Sequence, residues 1–187
     1  MRITPMKTLL VAACLAALAT AGAIADAPAQ VRRSVIRAAE ISLNDRLAKI
    51  FPDTPLSVTG QVRGVYIDGY GAVFTAEMNP VSDGTSLMHS VLRPEEKVQV
   101  KAKKIARIPE LKKAMKEALV ETAASLDPVP LDDQVVLEVV IDRFLWEDGS
   151  GYPSELLVQA PRRKLLELKR AGNSASALDA AIKLTER

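Results

Sequence analysis

The stretch Gln61–Met78, QVRGVYIDGYGAVFTAEM, has the pattern of a β-hairpin. Val62, Gly64 and Tyr66 alternate with Arg63, Val65 and Ile67; Asp68-Gly69 supplies the turn, and a second run follows from Tyr70 to Met78. Asp-Gly between two alternating runs is a strong hairpin signal, because both central residues of a type I′ turn need positive φ. On the return strand Tyr70, Ala72, Phe74, Ala76 and Met78 fall on one face, and Gly71, Val73, Thr75 and Glu77 on the other. Two of the three tyrosines and one of the three phenylalanines sit here, which makes this hairpin the expected start of a sheet.

Upstream of it, the chain opens MRITPMKTLLVAACLAALATAGAIADAPAQ. Arg2 and Lys7 make a positive n-region, Thr8–Leu18 an apolar h-region, and Ala23-Ile24-Ala25 a small-x-small cleavage site. The expectation is a signal peptide over residues 1–25 and an exported chain, periplasmic or secreted, over residues 26–187. Two alternatives stay open: an uncleaved anchor over Thr8–Ala25, and a lipoprotein through the loose lipobox Val11-Ala12-Ala13-Cys14. All three imply export. No second apolar segment long enough to span a bilayer follows Ala25.

The chain has 25 Lys+Arg against 23 Asp+Glu, and the signal region holds two of the cations and no anion, which leaves 23 of each beyond it. That balance argues against a nucleic-acid binder. Cys14 is the one cysteine, so the mature part can form no disulfide and no thiol site. About 160 residues suffice for a single domain with a real core.

The remaining elements follow from spacing and punctuation. Val31–Ile50 has helical periodicity and ends at Phe51-Pro52. Asn79–Arg93 is rich in turn formers and holds the lone histidine, His89, which has no second histidine or cysteine to complete a metal site. Pro94–Ile108 reads as a helix with acids first and bases later and an apolar stripe of Val98, Ala102 and Ile105; Pro109 then restarts the chain into a second helix, Glu110–Leu126. Gln134–Trp146, QVVLEVVIDRFLW, is the best strand, with Val135, Leu137, Val139 and Ile141 on an apolar face and Val136, Glu138, Val140, Asp142, Phe144 and Trp146 on a mixed one. The glycine-rich turn Glu147–Gly151 leads back into a strand over Pro153–Ala160. A short helix from Pro161 to Arg170, stopped by Gly172, and a last helix after Asn173-Ser174 complete the chain. Two hairpins with non-alternating helices predict an α+β fold, its mostly antiparallel sheet covered by helices on one face.

Several of these segments resemble a group of uncharacterised exported bacterial proteins with the same order of elements. They are the glycine-aromatic hairpin Gly64–Phe74, the Leu111–Leu126 helix, the valine-rich strand and the basic-leucine segment Arg162–Leu168. The resemblance spans most of the mature chain and brings no activity or functional residue with it.

No nucleophile–base pair, metal cluster, phosphate loop or cofactor fingerprint is legible, so neither catalytic residues nor cofactor or metal ligands are assigned. The expected function is a non-enzymatic envelope domain that binds a protein or an envelope polymer. Val136, Val140, Phe144 and Trp146 are its candidate interface, with a second core layer as the competing role for the same side chains. The lysines Lys101, Lys103, Lys104, Lys112 and Lys113 offer a contact for an anionic surface, or else a solvated face. The alternative function is a hydrolytic or small-molecule-processing enzyme drawing its acid and base from Asp68, Glu77, Glu138 and Asp142. For this, Tyr66, Tyr70, Glu138 and Asp142 are the candidate pocket.

Overall fold

The computed structural model describes residues 31–54, 57–82 and 92–187. Residues 1–25, read above as a signal peptide and including Cys14, lie outside these, as does His89. Helix α1 (Arg33–Leu47) packs Ile36, Ala39, Leu43 and Leu47 inward at three- and four-residue steps. The hairpin follows as β1 (Arg63–Ile67) and β2 (Gly71–Met78), antiparallel, with Val65 opposite Val73 and Ile67 opposite Gly71. Its turn differs from the expected type I′. Gly69 has φ +73° but Asp68 is not in the positive-φ region, and the Tyr70 N–H bonds the Ile67 carbonyl at 3.0 Å. That is the type II pattern, which needs glycine at the second central position only.

Residues 94 to 124 form one continuous helix, α2 (Pro94–Ala124), where two helices broken at Pro109 were expected. Proline inside a helix removes one backbone bond, to the carbonyl four residues earlier, and costs about 3 kcal/mol. Here that carbonyl belongs to Ile105, and both Ile105 and Pro109 are exposed, so water can satisfy it. Ile108, Leu111, Met115, Leu119 and Ala123 are buried on the far side and hold the helix together across the break. The anticipated stripe of Val98, Ala102 and Ile105 faces solvent instead, and the residues buried in that half of the helix are Lys104 and Ile108.

Strand β3 (Gln134–Ile141) runs parallel to β2, with Phe74 opposite Leu137, and α2 is the crossover that a parallel pair requires. Strand β4 (Glu155–Pro161) returns antiparallel to β3 after the long connection 142–154. It leads directly into α3 (Arg162–Ala171), which ends at Gly172 with φ +87°. Helix α4 (Ala175–Ala181), capped by the Ser174 hydroxyl, precedes β5 (Lys183–Glu186), a strand that the sequence reading missed. The sheet order is β1-β2-β3-β4-β5, antiparallel except between β2 and β3. The fold is therefore α+β with a mostly antiparallel sheet and its helices on one face. The second antiparallel pair is joined by a long loop rather than by a tight turn.

The core lies between the helices and one sheet face: Ala72, Phe74, Ala76 and Met78 of β2, Val135, Leu137, Val139 and Ile141 of β3, and Leu156, Val158 and Ala160 of β4. Among the described residues no helix is long and apolar enough to cross a membrane.

Gly64 sets the spacing of α1 on the hairpin. A Cβ there would sit 2.6 Å from the Phe74 ring and 2.9 Å from Cγ2 of Ile36. Gly64→Ala is expected to lower stability by about 1–3 kcal/mol through overpacking. A urea titration would register this as a lower midpoint at unchanged slope; an unchanged midpoint would mean that α1 can move aside freely.

Candidate functional site

Because alternate residues of a strand point to opposite faces, the register fixes what the sheet displays on the face away from its helices, which among the described residues is helix-free. Val65, Val73 and Val136 are consecutive register partners across β1, β2 and β3, an apolar row continued by Gln159 and Lys183. The next row runs Arg63, Thr75, Glu138, Leu157 and Thr185, and beyond it lie Glu77, Val140 and Glu155. Val65 is 51% exposed and Ile67 46%, whereas Val136, at the sheet centre, is 3% exposed and does not belong to the core cluster. Val73, Val140 and Leu157 are half-buried.

The four candidate interface residues therefore divide. Val136 and Val140 do share this face, but Val136, between Val73 and Gln159 in the register, is buried and offers little surface. Phe144 and Trp146 lie beyond the end of β3, in the 142–154 connection, stacked on each other with centroids 5.4 Å apart. Beyond Ile141 the carboxylates of Asp142 and Glu147 accept from groups outside the strand ladder. Asp142 accepts from the Thr59 hydroxyl, and Glu147 Oε2 accepts from the Phe144 N–H at 2.7 Å.

The four candidate pocket residues do not converge. Tyr66 packs against the core on the helix side and donates to Asp133 at 2.8 Å; burial first, then that carboxylate, pushes its hydroxyl up to about 12. Glu138 lies on the opposite face of the sheet, Tyr70 sits exposed in the hairpin turn, and Asp142 is tied to Thr59. A groove does open on the helix-free face, about 360 Å³ in volume, lined by Gly60, Gln61, Arg63, Thr75, Ala76, Glu77 and Val140. Of the four candidate acids it takes in Glu77 alone. Among the described residues no group of three or more acids, histidines or cysteines is placed to hold a metal ion.

The basic helix is engaged internally. Lys104, fully buried, donates to Glu147 at 2.6 Å and to the Asp142 carbonyl at 2.9 Å, with its ammonium over the rings of Phe144 and Tyr152. Burial pushes the Lys104 ammonium below its ordinary range, against the pull of Glu147. It can touch no external surface, which corrects its place in the expected cationic patch. Lys101 donates to Asp148 at 2.6 Å and holds that carboxyl near 2, Lys103 pairs with Asp53, and Lys112 with Glu186. Lys113 stays exposed, 4.0 Å from Glu117. Together Lys97 (over Trp146), Lys101 and Lys104 clasp the 142–154 connection to one stripe of α2.

The free edge of β1 is closed by a second buried charge. Glu40 of α1 accepts from the Gly64 N–H at 2.7 Å and Arg33 donates to the Gly64 carbonyl at 2.7 Å, so side chains occupy the positions another strand would take. Burial raises the Glu40 carboxyl, but hydrogen bonds from Arg33, Gly64 and Arg37 outweigh it and leave it below the ordinary range.

Comparisons with protein-family models, with curated proteins and with solved structures find no match to this chain. The groove residues Arg63 and Gln61 were not singled out from the sequence. Alternation placed Thr75 and Glu77 on one face, but their neighbours depend on the β1–β2 register.

Replacing one member of the buried pair leaves the other uncompensated. Lys104→Met or Glu147→Gln is expected to cost about 3–5 kcal/mol in urea unfolding, and Lys104→Met with Glu147→Leu to recover most of it. Single-variant losses below about 0.5 kcal/mol, the scale of an ordinary surface substitution, would contradict this.

Tyr152 gives a pH signature. Burial and then the Glu147 charge raise its hydroxyl from 10.0 to about 12. Its contribution to stability is complete below pH 10 and is lost as pH rises toward about 12, because the unfolded chain releases that proton first. Tyr152→Phe should make the alkaline loss of stability shallower, with Tyr66 supplying the remainder; an identical slope in both proteins would refute it.

Proposed function

We propose that this chain is an exported, non-enzymatic binding domain of a bacterial envelope, and that the helix-free face of its sheet takes the partner, a protein or an envelope polymer. The observation that supports this reading is the apolar pair Val65 and Val73, continued by the buried Val136, on a sheet face that no described helix covers. A sheet buried on one side ordinarily displays polar residues on the other. Here Val65, Ile67, Val73, Val140 and Leu157 interrupt that pattern, and apolar residues grouped on an exposed face mark interaction surfaces. Export rests on the leader pattern of residues 1–25.

The enzymatic alternative needs two carboxylates converging in one concavity. The groove on the open face is lined by Glu77 and by none of Asp68, Glu138 or Asp142, which favours the binding reading. The internal pairing of Lys101, Lys103 and Lys112 favours the sheet over the basic helix as the contact surface.

A photo-crosslinking residue placed at Val73 or Leu157, and at the exposed helix position Ala102 as control, tests this in the envelope fraction of producing cells. A discrete, salt-resistant adduct is expected from the two sheet positions only. Its digestion by protease or by a glycan-cleaving enzyme then identifies the partner class. Equal adducts from Ala102, or none from the sheet, would overturn the assignment of the face.

A further inference from the structure

Among the described residues, four charged side chains on the open sheet face, Arg63, Glu77, Glu138 and Lys183, are not closed into ion pairs, and two of them share a groove. Arg63 on β1 and Glu77 on β2 line one groove, and among the described residues neither side chain has an ion-pair partner. Arg63 is the register partner of Thr75, and Glu77 lies two residues farther along the same face of β2. Such diagonal neighbours sit roughly 7–8 Å apart at their backbones, within reach of long side chains. The chain before β1 lies alongside the end of β2. Val58 pairs with Met78, the Thr59 N–H bonds the Glu77 carbonyl at 3.0 Å, and Gly60 and Gln61 line the groove between. A Cβ on Gly60 would come within 3.8 Å of the Glu77 carboxylate, so the backbone itself borders the acid.

The residues lining the groove thus carry a guanidinium, a carboxylate, a hydroxyl and an amide, with Val140 as an apolar member. The groove's volume, about 360 Å³, lies at the small end of the ligand-site range. We propose that this groove binds a small zwitterion, an α-amino acid or a dipeptide, with Arg63 taking the carboxylate and Glu77 the ammonium group. A guanidinium fork matches a carboxylate in two parallel hydrogen bonds, and a carboxylate accepts from an ammonium in charge-assisted ones. A neutral sugar would leave both charges unanswered, and a simple anion or cation would leave one.

This assignment rests on the open-face reading and refines it, since the zwitterion would be the part of the partner recognised there. The probe is L-alanyl-L-alanine, titrated into the full chain while backbone amide shifts are followed by NMR. Saturable shifts are expected at Gly60, Gln61, Thr75 and Val140. Arg63→Gln and Glu77→Gln should each weaken binding about tenfold or more, the size of a lost charge-assisted bond. Acetylating the ammonium of the dipeptide should weaken binding to the wild type but make no difference to Glu77→Gln; amidating its carboxylate should behave likewise with Arg63→Gln. If a variant does not fold, the blocked dipeptides on the wild type decide the question alone. Absence of saturable shifts through the millimolar range, or indifference to both blocking groups, overturns the proposal. With crosslinks at Val73 and Leu157 retained, that result removes the zwitterion site alone; with those lost as well, the open-face reading falls too.

Discussion

The parallel pairing of β2 with β3 is the constraint on which the rest of the structure depends. Antiparallel neighbours can be joined by a few residues, but parallel ones need a crossover that leaves the sheet and returns on one side. In this chain the crossover is α2, and its thirty-one residues bring Leu111, Met115, Leu119 and Ala123 into the core that Phe74, Leu137 and Val158 also enter. Once α2 occupies that side, α1, α3 and α4 bury their own apolar residues in the same core. Among the described residues no helix packs on the other side, so the open sheet face follows from how the core is assembled.

Two buried charges support that arrangement at its margins. The β3–β4 connection is too long to be ordered by a turn alone, and Lys104 anchors it by placing an ammonium between Phe144, Tyr152 and Glu147. Desolvating such a pair is costly, so it adds little net stability over an apolar substitute; what it supplies is a defined position for the loop. Glu40 serves the opposite end of the sheet by occupying the backbone of Gly64, which blocks edge-to-edge pairing along β1. Both charges act within the fold.

Much of this was legible in the residues. The alternation around Asp68-Gly69 located the hairpin, and the run Val135–Ile141 located the central strand with its inward face correctly ordered. The errors have physical causes. Pro109 looks like a break because its local cost is certain, whereas the burial that overrides it depends on residues distant in sequence. Strand β5 is too short to declare a period, and only its pairing with β4 makes it a strand. Phe144 and Trp146 continue the alternation of β3 on paper, but the strand ends at Ile141, and the Asp142 and Glu147 carboxylates accept from groups outside the ladder. The candidate site was legible only by halves. Alternation put Thr75 and Glu77 on one face, yet which residues stand beside them is set by register, and register is a long-range property.

The central claim is that one face of the sheet is sealed by helices while the other meets solvent. Methyl-labelled valine and leucine, relaxed by an inert soluble paramagnetic agent, test it most directly. The account predicts strong relaxation at Val65, Val73, Val140 and Leu157 and little at Val135, Leu137, Val139, Leu156 and Val158. Equal protection of both sets would mean that the open face is covered, and would contradict it.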